Sequence, residues 1–342
     1  MNRKDFLTAV IPLGTAISAT AAITKIKHDD PYVRKRTPPY LNPGDTLGIC
    51  CPSGFISLEE VQVAATKINE WGFETQIGNS VGAKDFTFAG TDEERAKDLQ
   101  KMIDDDSIKA IMFGRGGYGA VRIIDKIDFK KFIANPKWII GFSDATVFHS
   151  HINKNFGIAS IHSKMCNSFP SDWTKAEPAQ IESIDSIRRC LIGEKMEYKI
   201  TSNPKNREGN AKGILVGGNV SLLQSLACSK SDITTTDKIL FLEEVDEYLY
   251  NIDRMFWYLK RAGKLDKLNG LIICGFKVKP DDPGEEFGRT VYEIVNEVVK
   301  EFSYPVCFDF PVGHQKNNYA LKSGVEHKLN VSLHGCILTE ST

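Results

Sequence analysis

The sequence predicts an α/β protein with an N-terminal doubly wound parallel-sheet domain and a smaller C-terminal α/β domain rich in strands. Two observations carry this prediction. Over residues 44–165, short apolar runs alternate with segments of helical period, and a second series of strand-like runs begins after a polar stretch at 166–208. The length of 342 residues also fits two domains. We therefore expect an N-terminal domain at 44–165, an inter-domain connection at 166–208 and a C-terminal domain at 209–342.

Short apolar runs closed by turn residues mark the strands, and apolar positions at helical spacing mark the helices. Thr91 and Glu94 form a capping-box pattern that begins one of these helices. The predicted strands are 46–51, 73–77, 110–113, 138–140, 211–216, 239–242, 270–274, 305–310 and 325–338. The predicted helices are 58–71, 91–103, 120–127, 145–153, 181–191 and 252–262. In a parallel sheet of this kind, ligands bind where the strands end at their carboxyl side.

Composition and charge narrow the class of partner. The chain is 42% hydrophobic and 25% charged, which is typical of globular proteins. Its 43 basic and 44 acidic side chains give a net charge of -1, so no basic field is present to attract nucleic acid. The eight cysteines show no C-x-x-C spacing, so we expect neither a metal site nor a cofactor. A small-molecule or peptide substrate fits these features best.

The N-terminus has the pattern of an export leader at 1–28, followed by a linker at 29–43. A positive start precedes an uncharged stretch at 6–23, and small residues at 19–21 offer a cleavage pattern. Lys4 stands where a twin-arginine leader has its second arginine, and a loose or helical extension is the alternative. We expect a periplasmic or otherwise exported protein, with the cytoplasm as the alternative, and no stable membrane span after leader removal.

A glycine-rich segment follows the third predicted strand. Residues 114–119 have the spacing G-x-G-x-x-G between a strand and a helix, which is the context of a dinucleotide fingerprint. Against that reading, Arg115 and Tyr118 add bulk where a pyrophosphate needs close backbone approach. A tight structural turn and a nest of backbone amides for the oxyanion of an acyl-transfer intermediate are the other two interpretations.

The next strand ends in a segment typical of a presented serine. Gly141-x-Ser143 lies between an apolar strand and a helix, so the hydroxyl would project at a sharp turn while backbone amides face developing negative charge. The full G-x-S-x-G pattern is absent because position 145 is alanine. The alternative is that Ser143 or Asp144 simply caps the following helix.

A nucleophilic serine needs a base and an acid. Among seven histidines, His314 stands out because it follows a buried strand on a turn whose Pro and Gly can direct it outward, although a loop histidine can equally be solvated. Glu243 and Glu244 end a buried apolar run, where a carboxylate is unfavourable unless paired or functional. Strand alternation lets only one of them face a given side, and an ion pair with Arg254 or a lysine is the structural alternative.

Several blocks of sequence, in order along residues 44–320, resemble the LD-carboxypeptidase family of serine peptidases, which also contains microcin C immunity-type hydrolases. The blocks are Gly44-Asp45-Thr46, Pro52-Ser53-Gly54, Ala89 to Arg95, Asp98-Leu99, Arg115 to Gly119, Gly141 to Thr146, Gly217-Gly218-Asn219, Phe241 to Glu244, Tyr250 to Arg254, and Pro311 to His314.

This resemblance implies a catalytic triad of Ser143, Glu243 and His314, and it selects Glu243 over Glu244. The likeness also implies cleavage of the bond before a terminal D-alanine in a murein tetrapeptide, and a homodimer. The backbone amides of Gly117 and Asp144 are the expected oxyanion donors. Arg115 and Arg254 are available to bind the terminal carboxylate of the substrate.

Two departures from the family pattern affect the expected substrate. His162-Ser163-Lys164-Met165 replaces the common His-Gly-Pro-Met, and residues 247–250 are bulkier than in many relatives. These departures imply a different substrate side chain. Because the family also contains microcin C immunity-type hydrolases, the resemblance leaves a peptide-nucleotide conjugate as the alternative substrate. A non-catalytic peptide-binding or nucleotide-binding protein is the alternative of another class.

Overall fold

The computed structural model describes residues 36–341. The predicted leader at 1–28 and residues 29–35 of the predicted linker lie outside the described residues. Within the described range, no helix is long and apolar enough to cross a membrane.

Strands and helices alternate along most of the described chain. The strands are β1 (Thr46–Cys50), β2 (Glu74–Ile77), β3 (Ile108–Phe113), β4 (Trp138–Gly141), β5 (Ser160–His162), β6 (Glu197–Ile200), β7 (Gly209–Asn219), β8 (Lys238–Glu247), β9 (Gly270–Val278), β10 (Val306–Cys307), β11 (Leu321–Ser323), β12 (Glu326–Ser332) and β13 (Gly335–Glu340). The α-helices are α1 (Leu58–Glu70), α2 (Asp92–Asp104), α3 (Ala120–Ile123), α4 (Lys130–Ala134), α5 (Thr146–Phe156), α6 (Pro178–Leu191), α7 (Val220–Ser225), α8 (Leu249–Arg261) and α9 (Val291–Val298).

The first sheet has six strands in the order β11-β5-β4-β3-β1-β2, and its five N-terminal strands run parallel. Both faces of this sheet are buried. In β3, Ala110 and Met112 face one apolar layer while Ile111 and Phe113 face the other. Such two-sided burial is the mark of a doubly wound sheet, which confirms the predicted fold class.

The second sheet has seven strands in the order β10-β9-β8-β7-β12-β13-β6. Strands β7 to β10 are parallel, whereas β12, β13 and β6 pair antiparallel, so this sheet is mixed. A third apolar cluster, which includes Leu240, Phe256 and Val295, covers it on the side of α8 and α9. The site described below lies at the carboxyl ends of β4 and β8.

The structure differs from the prediction in several elements. The predicted helix at 120–127 is a single α-helical turn followed by a 3₁₀ turn, and the predicted strand at 305–310 contains only the two residues of β10. Strand β11 was not predicted at all. It follows His314 in the chain yet pairs antiparallel with β5 in the first sheet, so the two sheets share the C-terminal part of the chain. Its central residue, Lys322, is fully buried and bonded to Glu340, which conceals the strand from any apolar pattern.

Candidate active site

Ser143 occupies a strained turn between β4 and α5. Its φ of 60° lies in the left-handed region, where a non-glycine residue is held only by its surroundings. A 3₁₀ turn at Ser143–Ala145 then leads into α5. Neither Ser143 nor Asp144 caps these helices with its side chain, so the helix-cap interpretation is wrong. The turn has the strand-to-helix form that presents a nucleophile.

Gly141 is required at the start of this turn. A Cβ at Gly141 would lie 2.9 Å from the Cβ of Ala145, so the closure of the turn leaves no room for a side chain. The Gly141 carbonyl accepts hydrogen bonds from His149 Nε2 at 2.8 Å and from the Ser163 amide at 3.0 Å. Since a carbonyl only accepts, His149 carries its proton on Nε2 and accepts from the Ser160 hydroxyl at Nδ1. Burial lowers the pKa of His149 to about 4, which keeps it neutral.

The segment at 114–119 lies directly against the serine. A Cβ at Gly116 would be 3.2 Å from Ser143 Cβ and 3.3 Å from Ser143 Oγ. Gly117 has a φ of 96°, which only glycine adopts easily. Within residues 36–341, the amides of Gly117 and Asp144 donate to no backbone or side-chain acceptor. Both amides are therefore available to a bound group.

The glycine spacing does not build a dinucleotide site here. The helix that follows it, α3, has only four residues and offers a weak dipole to a pyrophosphate. A Cβ at Gly119 would lie 2.7 Å from Arg95 Nη1, so the last glycine makes room for a buried arginine.

The side chain of Asp144 points away from the reaction side into the protein. Its Oδ2 accepts hydrogen bonds from the Ser53 hydroxyl and, at 2.8 Å, from the Ala120 amide. Burial raises the pKa of this carboxyl, while those two hydrogen bonds and the Arg95 charge oppose the rise. Asp144 thus fastens the serine turn to the start of α3.

Glu243 and His314 form a hydrogen-bonded pair at the end of β8. His314 Nδ1 lies 2.6 Å from Glu243 Oε2, and the glutamate side chain is fully buried. The His314 side chain remains 19% exposed, so one edge of its ring is open. The Phe142 ring, next to Ser143 in the chain, contacts the His314 ring with centroids 4.8 Å apart. The histidine loop and the serine turn are therefore in contact.

The loop that carries His314 is fixed by backbone geometry. Gly313 has a φ of 101°, and a Cβ there would lie 2.6 Å from Glu243 Cβ. The Gly313 amide donates to Asn318 Oδ1 at 2.9 Å. Gln315 donates from Nε2 to the carbonyls of Phe310 and Val312, at 3.0 and 3.2 Å. These bonds place the imidazole over the glutamate.

Glu244 faces the other way, as strand alternation requires. Its carboxylate accepts from Asn219 Nδ2 at 2.8 Å and from the Ser221 amide at 2.7 Å, which supports the first turn of α7. Burial raises its pKa. Because Glu243 is bonded to His314 and not to Arg254 or a lysine, the structural ion-pair interpretation does not describe it.

The two predicted substrate-binding arginines are both exposed and unpaired with acids among the described residues. Arg115 makes a long hydrogen bond of 3.4 Å to the Phe55 carbonyl and lies beside Gly116. Arg254 contacts Asn251 and the Tyr250 ring within its own part of α8. Among residues 36–341 it makes no hydrogen bond, ion pair or ring contact with His314 or Ser143.

Sequence reasoning missed the supporting groups. His149 donates a hydrogen bond to the Gly141 carbonyl and so stabilises the turn that carries Ser143. The sequence feature that could have indicated this role is its position on the helix after Ser143. Buried Arg95 contacts the carbonyls around the glycine-rich segment, and its signal was an arginine on the apolar face of α2. Within residues 36–341, no cluster of His, Cys, Asp or Glu could hold a metal ion.

Comparison with known proteins identifies the family. The LD-carboxypeptidase N-terminal domain matches residues 47–163, and the LD-carboxypeptidase C-terminal domain matches residues 212–329. A probable murein peptide carboxypeptidase of Bacillus subtilis is 30% identical over 303 residues, covering 86% of this chain and 92% of the relative. The microcin C7 self-immunity protein MccF of Escherichia coli is 25% identical over 327 residues, covering 87% and 94%.

A solved structure shows the same architecture. The crystal structure of muramoyltetrapeptide carboxypeptidase from Oxalobacter formigenes superposes with a TM-score of 0.76 at 25% identity. It covers 87% of this chain and 99% of its own. From the two domain matches and these relatives, we conclude that the chain belongs to the LD-carboxypeptidase family of serine hydrolases.

Proposed function

We propose that this protein is a serine carboxypeptidase that hydrolyses an L,D-peptide bond and releases a C-terminal D-alanine from murein tetrapeptide. The observation that carries the proposal is the 2.6 Å bond between His314 and buried Glu243, beside a serine on a strained turn. Relatives named as murein peptide and muramoyltetrapeptide carboxypeptidases support the substrate class.

The first step is attack by Ser143. A carboxylate only accepts hydrogen bonds, so His314 carries its proton on Nδ1 towards Glu243, and Nε2 is left free to take the proton of Ser143 Oγ. The serine oxygen then adds to the peptide carbonyl, and Glu243 stabilises the imidazolium that results.

The tetrahedral intermediate carries its charge on the former carbonyl oxygen. The amides of Gly117 and Asp144 donate to this oxyanion in the proposed mechanism. Its collapse breaks the carbon–nitrogen bond, and His314 gives its proton to the amine of the departing D-alanine. Water then attacks the acyl-enzyme with His314 again as base, which releases the tripeptide and restores Ser143.

Product analysis tests this proposal. Purified protein incubated with disaccharide-free tetrapeptide should yield tripeptide and D-alanine in equal amounts. A matched tetrapeptide ending in L-alanine should be cleaved far more slowly, because the reacting carbonyl and the terminal carboxylate would no longer fit together. Release of L-alanine at an equal rate would contradict the proposed specificity.

A peptide-nucleotide conjugate is the second candidate substrate, because MccF lies among the relatives. The same assay decides between them. Cleavage of an aminoacyl sulfamoyl nucleoside with a higher kcat/KM than the tetrapeptide would assign the protein to that chemistry. Tight binding of either compound without turnover would instead indicate a binding protein.

We further propose that the protein is exported and acts as a homodimer. The support for export is the charge pattern of residues 1–28. N-terminal sequencing of protein from the native host should begin near Ala22, and light scattering should give twice the monomer mass. An intact N-terminus in the cytosolic fraction, or a monomer at micromolar concentration, would contradict these two statements.

A further inference from the structure

Arg95 is a charged side chain enclosed in the protein interior. It is 0% exposed, and burial lowers the pKa of its guanidinium. The guanidinium Nη1 donates to the Pro52 carbonyl and, at 3.1 Å, to the Gly119 carbonyl. Its Nε donates to the Gly90 carbonyl at 3.3 Å. Its Nη2 is paired with Asp92. A buried charge is tolerated only with such complete pairing.

Two of the three carbonyls that Arg95 binds, those of Pro52 and Gly119, belong to segments that flank the nucleophile. Gly119 closes the glycine-rich segment that carries Gly117. Pro52 precedes Ser53, whose hydroxyl donates to the carboxylate of Asp144. One guanidinium nitrogen therefore joins a residue from each segment.

A second contact links the same two segments. The Gly54 amide donates to the Gly116 carbonyl at 2.9 Å, and a Cβ on Gly54 would lie 2.6 Å from that oxygen. Gly116 in turn packs against Ser143. Any shift of the Pro52–Gly54 segment would thus move the amide of Gly117 relative to the serine.

We infer that Arg95 is a positioning residue for acyl transfer: it holds the segment at 114–119 at the distance from Ser143 at which the Gly117 amide meets the oxyanion. The inference rests on the proposed function of Ser143. It assigns to a buried arginine, which touches neither Ser143 nor His314, an effect confined to the transition state.

The chain offers a matched control. Arg122 binds the same Asp92 carboxylate, at 2.9 Å, and lies over the same Phe88 ring, 5.5 Å from its centroid against 5.0 Å for Arg95. The Arg122 side chain is 47% exposed and bonds to neither the Pro52 nor the Gly119 carbonyl. Its hydrogen bond within the segment at 114–119 is to the exposed side chain of Tyr118 and not to the backbone. Arg122→Met therefore removes an ion pair with the same carboxylate and a contact with the same ring, while Arg95 still holds the Pro52 and Gly119 carbonyls.

The test compares Arg95→Met, Arg95→Lys and Arg122→Met with the wild-type full chain. Since loss of an oxyanion donor lowers kcat by about 10²–10³-fold and misplacement by about 1 Å has effects near 10²-fold, Arg95→Met should lower kcat by about 10–100-fold. KM should stay within about threefold, because ground-state binding is unaffected. Arg95→Lys, which can still donate to one carbonyl, should be intermediate, and Arg122→Met should match the wild type.

Ligand affinity separates positioning from general damage. A peptide boronate, which forms a tetrahedral adduct with the serine, should bind Arg95→Met more weakly by the same factor as kcat/KM falls. The intact tetrapeptide should bind Ser143→Ala and the double variant with Arg95→Met equally. If the boronate and the intact tetrapeptide were weakened by the same factor, the inference would be overturned. A wild-type kcat in Arg95→Met would also overturn it. If Arg95→Met does not fold, a wild-type kcat in Arg95→Lys would do the same.

Failure of the proposed function is recognisable separately. If wild-type protein releases no D-alanine, the substrate assignment fails, and the Arg95 inference is then tested by the rate at which a fluorophosphonate modifies Ser143. That rate should fall by about 10–100-fold in Arg95→Met and remain unchanged in Arg122→Met. An unchanged rate in both variants would refute the role of Arg95.

Discussion

Gly313→Ala should disable the Glu243–His314 pair without altering either residue. The φ of 101° at Gly313 lies in the left-handed region, and the added methyl would meet Glu243 Cβ at 2.6 Å, Cγ at 3.1 Å and Oε2 at 3.1 Å. Because Glu243 is fully buried, it cannot move into solvent to relieve the contact. The alanine therefore has to displace either the carboxylate or the loop that carries His314.

The magnitude follows from two separate contributions. The left-handed backbone costs about 1–3 kcal/mol for a residue with a Cβ. Overpacking against a buried side chain adds about 1–3 kcal/mol. We expect a loss of about 2–6 kcal/mol in the free energy of unfolding. Since an orienting acid that no longer holds the imidazole can lower kcat by about 10⁴-fold, the loss of activity should be at least about 10²-fold.

Gly44→Ala is the matched control. Gly44 has a φ of 87°, but nothing lies within 4 Å of its Cβ position, so this variant carries the backbone strain alone. Urea unfolding and D-alanine release would be measured for both variants. Gly44→Ala should lose about 1–3 kcal/mol and keep its kcat. If Gly313→Ala lost no more stability than Gly44→Ala and kept wild-type kcat, the proposed coupling of this loop to Glu243 would be refuted.

Three further predictions concern the site and the core. Ser143→Ala and His314→Ala should each lower kcat by at least about 10³-fold and preserve the melting temperature, because the loss of either member of a catalytic unit costs nearly as much as the loss of both. Activity comparable to wild type in either variant would disprove the triad. Glu243→Gln should lower kcat less than His314→Ala does but more than Glu244→Gln does, because the Glu244 carboxylate supports α7 and does not contact His314. If steady-state kinetics showed a larger loss of kcat for Glu244→Gln than for Glu243→Gln, the orienting role would belong to Glu244. Burial lowers the pKa of His327 from its usual 6.5 to about 4. As the pH falls from 6.5 towards 4, His327 is therefore protonated in the unfolded chain but stays neutral in the folded chain. The free energy of unfolding should decline over that range by about 1.4 kcal/mol per pH unit because of this histidine. Urea titrations should show a shallower decline for His327→Gln than for the wild type. An identical slope in the two proteins would contradict a lowered pKa at His327.

The fold was predictable where apolar period and capping chemistry agree. Thr91 and Glu94 form the capping box that the sequence indicated, and β4 and β8 lie where continuous apolar runs placed them. Strand β11 could not be found in this way. It is short, and its central lysine is compensated by Glu340, which lies 18 residues further along the chain.

The site was partly predictable for a related reason. Ser143 and His314 lie on turns that local sequence already marks, since glycine, proline and an adjacent strand are visible in the chain. Which of Glu243 and Glu244 contacts His314 depends on the side to which each residue of β8 points. The local sequence pattern does not determine that side. Arg95 was beyond local reasoning because its partners lie up to 43 residues away in sequence, and only the folded chain brings Pro52 to it.

Covalent labelling tests the central claim most directly. A fluorophosphonate reacts with a serine that a neighbouring base has activated, and mass spectrometry of peptides from the labelled protein locates the adduct. We predict a single adduct, on Ser143, formed at least about 10³-fold more slowly in His314→Ala. An adduct on a different serine, or an unchanged labelling rate in His314→Ala, would contradict the assignment of Ser143 and His314 as nucleophile and base.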